Sequence, residues 1–130
     1  MPVRIVYESH ATTTDNEAGI ATGWLPGRLS PTGRRQAAEL GDRRRGTGLD
    51  AVYTSDLARA VETARLAFAG AGSPVLRLRD VAAEWDGGQV LLIAHSANRW
   101  SLDCLLAGAR LESVVADPPP WQPGTFYTLP

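Results

Sequence analysis

The sequence predicts a single α/β domain over residues 1–130, built as a three-layer αβα sandwich around a mostly parallel sheet. A length of 130 residues suits one domain. The hydrophobic fraction of 44% and the charged fraction of 21% are those of an ordinary globular protein. Apolar runs of strand composition alternate with segments whose apolar residues recur at helical spacing. This alternation predicts helices on both faces of a parallel sheet.

The first elements follow from β-branched residues and capping signals. Residues 3–7 form a short β-branched run and are predicted to be the first strand. The polar stretch 8–16 has neither a helical nor a strand pattern, so we predict a loop there. The next helix begins with Ser30 as its N-cap and Pro31 at its first position, and is predicted to end near residues 46–48.

The middle of the chain repeats the strand and helix order. A second strand is predicted at residues 51–54, and Ser55 and Asp56 are predicted to cap the helix that follows. A weaker third strand is predicted at residues 74–78, and a short helical piece at residues 80–85.

The strongest strand signal is the continuous apolar run at residues 89–94, which is typical of a parallel strand covered on both faces. A helix is predicted directly after His95. Its apolar side is predicted to carry Leu102, Leu105, Leu106 and Ala109. A rigid proline-rich connector then leads to a closing strand at residues 124–129.

Composition excludes several function classes. All thirteen basic residues are arginine, which excludes a Schiff-base lysine and the P-loop lysine. The formal net charge of −1 provides no basic field for nucleic acid or an anionic membrane, so we expect neither as a partner. The densest basic patch, residues 43–45, is predicted to be the solvated end of a helix.

The sparse use of cysteine fits a protein of a reducing compartment. The single cysteine, Cys104, is predicted to be a small core residue. No signal peptide and no apolar span of 18 residues is found in the sequence, so we expect a cytoplasmic protein. The four tryptophans are predicted to be packing anchors, with Trp24 the one to border a pocket.

The chain has only two histidines, and both follow predicted strands. His10 comes about three residues after the first strand, and His95 directly follows the strongest one. In such sheets ligands bind beyond the carboxyl ends of the strands, so we expect both side chains on one functional rim.

Four ordered motifs surround these histidines. His10 has a small residue after it and Asn16 six positions on, and the last motif is the strand that ends in His95. Between them stand Leu29-Ser30-x-Thr32-Gly33-x-x-Gln36-Ala37 and Ser55-x-Leu57-x-Arg59-Ala60-x-x-Thr63-Ala64. Over nearly the whole chain this order resembles the histidine phosphatase superfamily, also called phosphoglycerate mutase-like. The short phosphohistidine phosphatase branch of that family is similarly compact.

The resemblance implies a role for each matching residue. His10 matches the family's nucleophile, which becomes a transient phosphohistidine. Arg59 matches an arginine that clamps phosphate through its planar guanidinium. His95 matches the second histidine, which stabilises the developing charge on the phosphoryl oxygens. The predicted phosphate-binding residues are Asn16, Arg59, Thr13 and Ser96, with Thr12 a secondary candidate. No metal and no cofactor is expected.

The sequence departs from the family pattern before the nucleophile. The family normally has an arginine there, whereas this chain has Ser9, with Glu8 before it. If Glu8 faced the site it would repel phosphate, although strand alternation could equally turn it away. The candidates to replace the missing guanidinium are Arg4, Arg28 and Arg99.

A second departure is a short connection where larger family members carry a substrate cap with a general acid. Only residues 79–88 stand there, and their carboxylates are Asp80, Glu84 and Asp86. Each is predicted to be a helix-end or turn residue. We therefore predict a minimal core without a cap subdomain. A substrate with a good leaving group depends less on a general acid.

These observations support three hypotheses. The first is a phosphatase that acts through His10 on a phosphorylated small molecule or a phosphohistidine protein. The alternative is a degenerate member that binds an anion or a protein partner with little or no turnover. The third is non-phosphoryl acid–base chemistry by the two histidines. The substrate is not readable from the sequence, and we expect that a second copy, in a homodimer, could cover the exposed rim.

Overall fold

The computed structural model describes residues 2–23, 25–70, 75–77 and 87–130, with only the backbone described at 75–77, 97 and 129. Within these ranges the strands are β1 (Val3–Ser9), β2 (Ala51–Thr54), β3 (Val75–Arg77), β4 (Gln89–Ala94) and β5 (Thr125–Leu129). The helices there are α1 (Thr14–Glu17), α2 (Pro31–Arg44), α3 (Ala58–Ala67), α4 (Ser96–Leu106) and α5 (Leu111–Ala116).

The five strands form one sheet in the order β3-β2-β4-β1-β5. β1 and β2 both pair in parallel with β4, β3 pairs in parallel with β2, and β5 runs antiparallel to β1. Ser9 is paired with Ala94, and the backbone N–H of His10 donates to the carbonyl of Ala94 at 3.0 Å. His10 and His95 therefore leave neighbouring strands at the same rim, as predicted.

Alternate residues of the strands build a core on each face of the sheet. On one face Val6 and Leu91 pack with Leu40 of α2 and Ala64 of α3. The opposite core contains Tyr7, Leu92 and Tyr127, and α4 packs against it through Leu102 and Leu106. This arrangement is the predicted αβα sandwich with a mostly parallel sheet.

Local capping explains where the elements begin. Ser30 accepts a hydrogen bond from the backbone N–H of Gly33 at 3.0 Å, and Pro31 opens α2, as predicted. The predicted loop at residues 8–16 is wrong in part, because β1 continues to Ser9 and α1 begins at Thr14. The signal for α1 was the Thr-x-x-Asn spacing of a capping box. Helix α5 was not predicted.

Some predictions of packing are wrong. Leu105 is 79% exposed, so only part of the predicted apolar side of α4 faces the core. Trp121 is 69% exposed and is not a packing anchor, and Cys104 is only half-buried. The predictions for Trp24, Trp85 and the helical piece at 80–85 lie outside the described residues. Among the helices that the structure describes, none has the length and apolar character needed to cross a membrane.

The arginines at the end of α2 do not form a solvated patch, so that prediction is wrong. Glu8 lies only 2% exposed on β1 and accepts hydrogen bonds from Arg44 Nε at 2.9 Å and Arg43 Nη2 at 3.2 Å. It also accepts one from the backbone N–H of Gly124 at 3.0 Å. Of the run, Arg45 alone is exposed, and it pairs with Asp42, three residues earlier in the last turn of α2. The carboxylate of Glu8 is therefore held in a buried cluster with arginine.

Gly33 packs against the loop that follows His10. A Cβ built on it would overlap the backbone carbonyl of Thr12. We expect Gly33→Ala to lower the free energy of unfolding by about 1–3 kcal/mol, since neither helix nor loop backbone can move away cheaply. Gly27→Ala is the matched control, because its Cβ would meet the Thr22 side chain at an ordinary 3.6 Å. Urea titration should separate the two, and equal midpoints would contradict this account.

Candidate active site

His10 lies in the loop after β1 with one ring nitrogen engaged. Its Nδ1 lies 2.7 Å from the backbone carbonyl oxygen of Ala11. A carbonyl oxygen only accepts, so Nδ1 carries the hydrogen and donates it. The lone pair of the neutral ring is therefore on Nε2. Burial lowers the pKa of His10 below its ordinary value and outweighs the hydrogen bond to Ala11, and the charge of Arg59 lowers it further.

His95 follows β4 and precedes the first residue of α4. Its ring centroid lies 4.9 Å from that of His10, with the planes tilted by 54°. Burial, then the nearby His10 and Arg59, lower the pKa of His95 to about 4. Both imidazoles are consequently neutral at pH 7.

Ser55 is a site residue that the sequence reasoning missed. Its Oγ lies 2.7 Å from Nε2 of His95, a hydrogen bond in which either atom can donate. The predicted capping role for Ser55 and Asp56 is wrong, because α3 begins at Ala58 with Leu57 at its N-cap. The signal was present, since Ser55 opens the motif that contains Arg59.

Arg59, the second residue of α3, reaches the same rim. Its positive charge contributes to the lowered pKa values of both histidines. Nη2 donates to the carbonyl of Gly23 at 2.7 Å, and Nη1 lies 3.5 Å from the carbonyl of Leu25. The guanidinium thus contacts the loop before α2.

Thr63 connects α3 to the loop of the first histidine. Its hydroxyl donates to the carbonyl of Arg59 at 2.7 Å and accepts from the backbone N–H of Ala11 at 3.0 Å. Since the carbonyl of Ala11 is the acceptor for His10, one chain of bonds holds His10 relative to Arg59.

The predicted phosphate-binding residues differ in their exposure and in their hydrogen bonds. Asn16 is exposed, and its Oδ1 accepts from the N–H of Thr13 at 3.0 Å, so the amide can offer its amino group. Thr13 is completely buried, and its hydroxyl accepts from the N–H of Asn16 as the cap of α1. Ser96 is exposed at the start of α4, one residue after His95.

The three candidates to replace the missing arginine do not converge on His10. Arg4 lies near the amino end of β1, at the end of the strand away from His10. Arg99 donates to the carbonyl of Pro120 at 2.8 Å and lies 3.8 Å from Asp103, toward the core under α4. Arg28 is exposed, and no described contact joins its side chain to either histidine.

The described residues hold no cluster of three or more side chains suited to a metal ion. The carboxylates named for a general acid, Asp80, Glu84 and Asp86, lie outside the described residues. The chemistry that the described groups can perform is nucleophilic attack by a neutral imidazole beside a guanidinium.

The lowered pKa values can be tested by NMR, because the chain has only two histidines. We expect both imidazoles to titrate below 6.5, and His95 near pH 4. Unfolded imidazoles take up protons below about 6.5, so stability should fall as the pH falls from there toward 4. A His10→Asn variant assigns the resonances, and a value of 6.5 or above for either ring contradicts the described burial.

Comparison with known proteins identifies related sequences. The family model described as the histidine phosphatase superfamily (branch 1) matches residues 9–91. Phosphoglycerate mutase of Candida albicans is 36% identical over 66 residues, which are 49% of this chain and 27% of that protein. The 2,3-bisphosphoglycerate-dependent phosphoglycerate mutase of Streptococcus pyogenes is 36% identical over 72 residues, 54% of this chain and 31% of that protein. The chain therefore spans less than a third of these curated relatives.

Solved structures share the fold. YhfR of Bacillus stearothermophilus superposes with a TM-score of 0.85 at 19% identity, over 95% of this chain and 90% of that one. A mutant of phosphoserine phosphatase from Entamoeba histolytica, in complex with phosphoserine, superposes with a TM-score of 0.82 at 14% identity. That match covers 98% of this chain and 94% of the other.

Proposed function

Because the chain belongs to the histidine phosphatase superfamily (branch 1), we propose that it is a phosphatase that acts on a phosphorylated small molecule through His10. One observation carries the proposal. The hydrogen bond from Nδ1 to the carbonyl of Ala11 leaves the Nε2 lone pair at a rim shared with His95 and Arg59. A nucleophile, a cation and a second imidazole are the groups that a phosphoryl transfer needs.

The reaction has two steps. Nε2 of His10 attacks phosphorus, and the bond between phosphorus and the leaving-group oxygen breaks as that oxygen takes up a proton from water. Water then attacks the phosphohistidine, the N–P bond breaks, and inorganic phosphate leaves the neutral ring. Because burial and Arg59 keep the pKa of His10 low, the ring needs no prior deprotonation at pH 7.

The neighbouring groups stabilise the charge on the transferring phosphoryl group. Arg59 turns part of its guanidinium from the loop carbonyls to the phosphoryl oxygens and stays charged at any physiological pH. Nε2 of His95 is held by Ser55 in the protein without substrate, and we expect the ring N–H to turn to the same oxygens when a phosphoryl group is bound. Asn16 donates from its amino group, since its oxygen is already used by Thr13.

The substitution at position 9 favours a second candidate, an anion-binding protein with little or no turnover. The Ser9 hydroxyl lies 3.2 Å from the hydroxyl of Tyr7 and supplies no positive charge. Vanadate binding combined with background hydrolysis of a broad phosphomonoester panel would support this candidate over the phosphatase.

The experiment that tests the phosphatase is intermediate trapping. Protein mixed with acetyl phosphate or p-nitrophenyl phosphate and quenched in alkali should carry one phosphoryl group on His10 by mass spectrometry. The adduct should be acid-labile, as a phosphoramidate is, and His10→Ala should carry none. Turnover without any adduct, surviving in His10→Ala, would overturn the proposal.

Removing the Arg59 guanidinium should slow the reaction strongly. We expect Arg59→Ala to lower kcat/KM by about 10²–10³, the range for loss of one group that stabilises transition-state charge. Arg65→Ala is the matched control, an exposed arginine in the last turn of the same helix. Steady-state assays of both variants make the comparison, and equal losses would count against a specific role for Arg59.

A further inference from the structure

A cavity of about 350 Å³ lies beside the nucleophile, on the side of the sheet covered by α2. His10 and Asn16 line it at the rim. Gln36, Glu39 and Arg43 line it from α2, where their spacing of three, four and seven residues places them on one helix face. Its volume is at the lower end for small-molecule sites.

The amides present hydrogen-bond donors to this cavity. Gln36 Oε1 accepts from the backbone N–H of Thr12 at 2.9 Å, and Asn16 Oδ1 accepts from that of Thr13. Each oxygen is tied to the loop, so each amide has its amino group to offer to a ligand. Arg43 binds Glu8 through Nε and Nη2, which leaves the donors on Nη1.

Two further residues give the cavity an acceptor and an apolar wall. Glu39 is exposed, and no described ion pair engages its carboxylate. Trp121 lines the cavity with an indole that is 69% exposed. The charged lining residues are Glu8, Glu39 and Arg43. Arg44 lies outside the lining but binds Glu8, and with it the two negative and two positive charges cancel. A second anionic group on the ligand gains nothing from a site that is neutral overall.

The cavity offers hydrogen-bond donors, a carboxylate acceptor and one aromatic face, and the site as a whole is neutral. These properties suit the hydroxyl groups of a compact ring. We propose that this cavity holds the hydroxyl-rich part of a sugar or polyol phosphate whose phosphoryl group lies at His10. The inference rests on the proposed function. The ligand hydroxyls accept from Gln36 and Arg43 and donate to Glu39, and the C–H face of the ring packs on Trp121. Helix α2 then supplies specificity contacts in a chain whose segment between β3 and β4 is short.

Calorimetric binding in a His10→Ala background tests this without any turnover. The probes are glucose 1-phosphate, ribose 5-phosphate, O-phosphoserine and inorganic phosphate. We expect the better sugar phosphate to bind about tenfold or more tighter than inorganic phosphate, and tighter than O-phosphoserine. Glu39→Ala and Trp121→Ala should each reduce the ratio of sugar phosphate to inorganic phosphate affinity by about fivefold. Both side chains are exposed, so both variants should fold.

Two exposed residues outside the cavity provide matched controls. Glu112→Gln removes a carboxylate that is 79% exposed, and Leu105→Ala removes an apolar side chain that is 79% exposed. Both should leave the affinity ratio at the level of the background protein. An affinity ratio near one, a ratio that Glu39→Ala and Trp121→Ala do not change, or a preference for O-phosphoserine overturns the inference. If the His10→Ala protein binds sugar phosphate as expected but the wild-type protein does not hydrolyse it, the cavity site is supported and the phosphatase is contradicted. Failure of the cavity site and failure of the proposed function are therefore distinguishable.

Discussion

His10→Ala is expected to lower kcat/KM by about 10⁴ or more on any phosphomonoester that the wild-type protein hydrolyses. The change removes the nucleophile itself, and loss of a nucleophile costs on this order or more in enzymes with covalent intermediates. Ser9 and Ala11 on either side offer no replacement, since a serine without an adjacent base is a weak nucleophile. Steady-state assays with a coupled phosphate detection make the measurement.

His95→Ala separates the nucleophile from the groups that stabilise charge. It should lose activity by about 10²–10³ and still form the adduct on His10, only more slowly. Circular dichroism and urea titration should show that both variants fold. The His10 side chain makes one described hydrogen bond, within its own loop, and the one described for the His95 ring goes to the part-buried Ser55 hydroxyl. An adduct that persists in His10→Ala and is lost in His95→Ala would argue that His10 is not the attacking residue.

Glu8→Ala is expected to lower the free energy of unfolding by about 3–5 kcal/mol, the cost of breaking a buried ion pair by removing one partner. The carboxylate is 2% exposed and binds Arg44, whose side chain is only 12% exposed. Without it the guanidinium of Arg44 stays buried with no counter-charge, and the N–H of Gly124 loses its acceptor. Urea titration at pH 7 should show a lower midpoint with an unchanged slope.

The two arginines provide an internal ranking for this prediction. Arg43 is 33% exposed and lies 3.2 Å from Glu8, whereas Arg44 is nearer at 2.9 Å and more buried. Arg44→Ala should therefore cost more stability than Arg43→Ala. Glu112→Gln, at an ion pair with both side chains about 80% exposed, should change stability by under about 0.5 kcal/mol. A loss from Glu8→Ala as small as that of this control would refute the buried cluster.

The order of strands and helices was readable because hydrophobic periodicity is a local property. The continuous apolar run at residues 89–94 is typical of a covered parallel strand, and the Ser-Pro step at 30–31 marked the start of α2. Parallel strands end at one edge, so the rim with both histidines followed from the order alone. Arg59 was found through the motif around it, and the structure brings it to that rim.

Contacts between residues distant in sequence were decided only by the tertiary structure. Ser55 looked like a helix cap because capping is judged from neighbours, whereas its partner, His95, is 40 residues away. The arginines at the end of α2 looked solvated because the buried carboxylate that binds them is 35 and 36 residues away, on β1. The sequence by itself determined the five strands, helices α2 to α4 and the histidine rim, since backbone propensity and side-chain periodicity act over a few residues. Which side chains pair across the fold depends on distances between elements, and only the packed structure sets those distances.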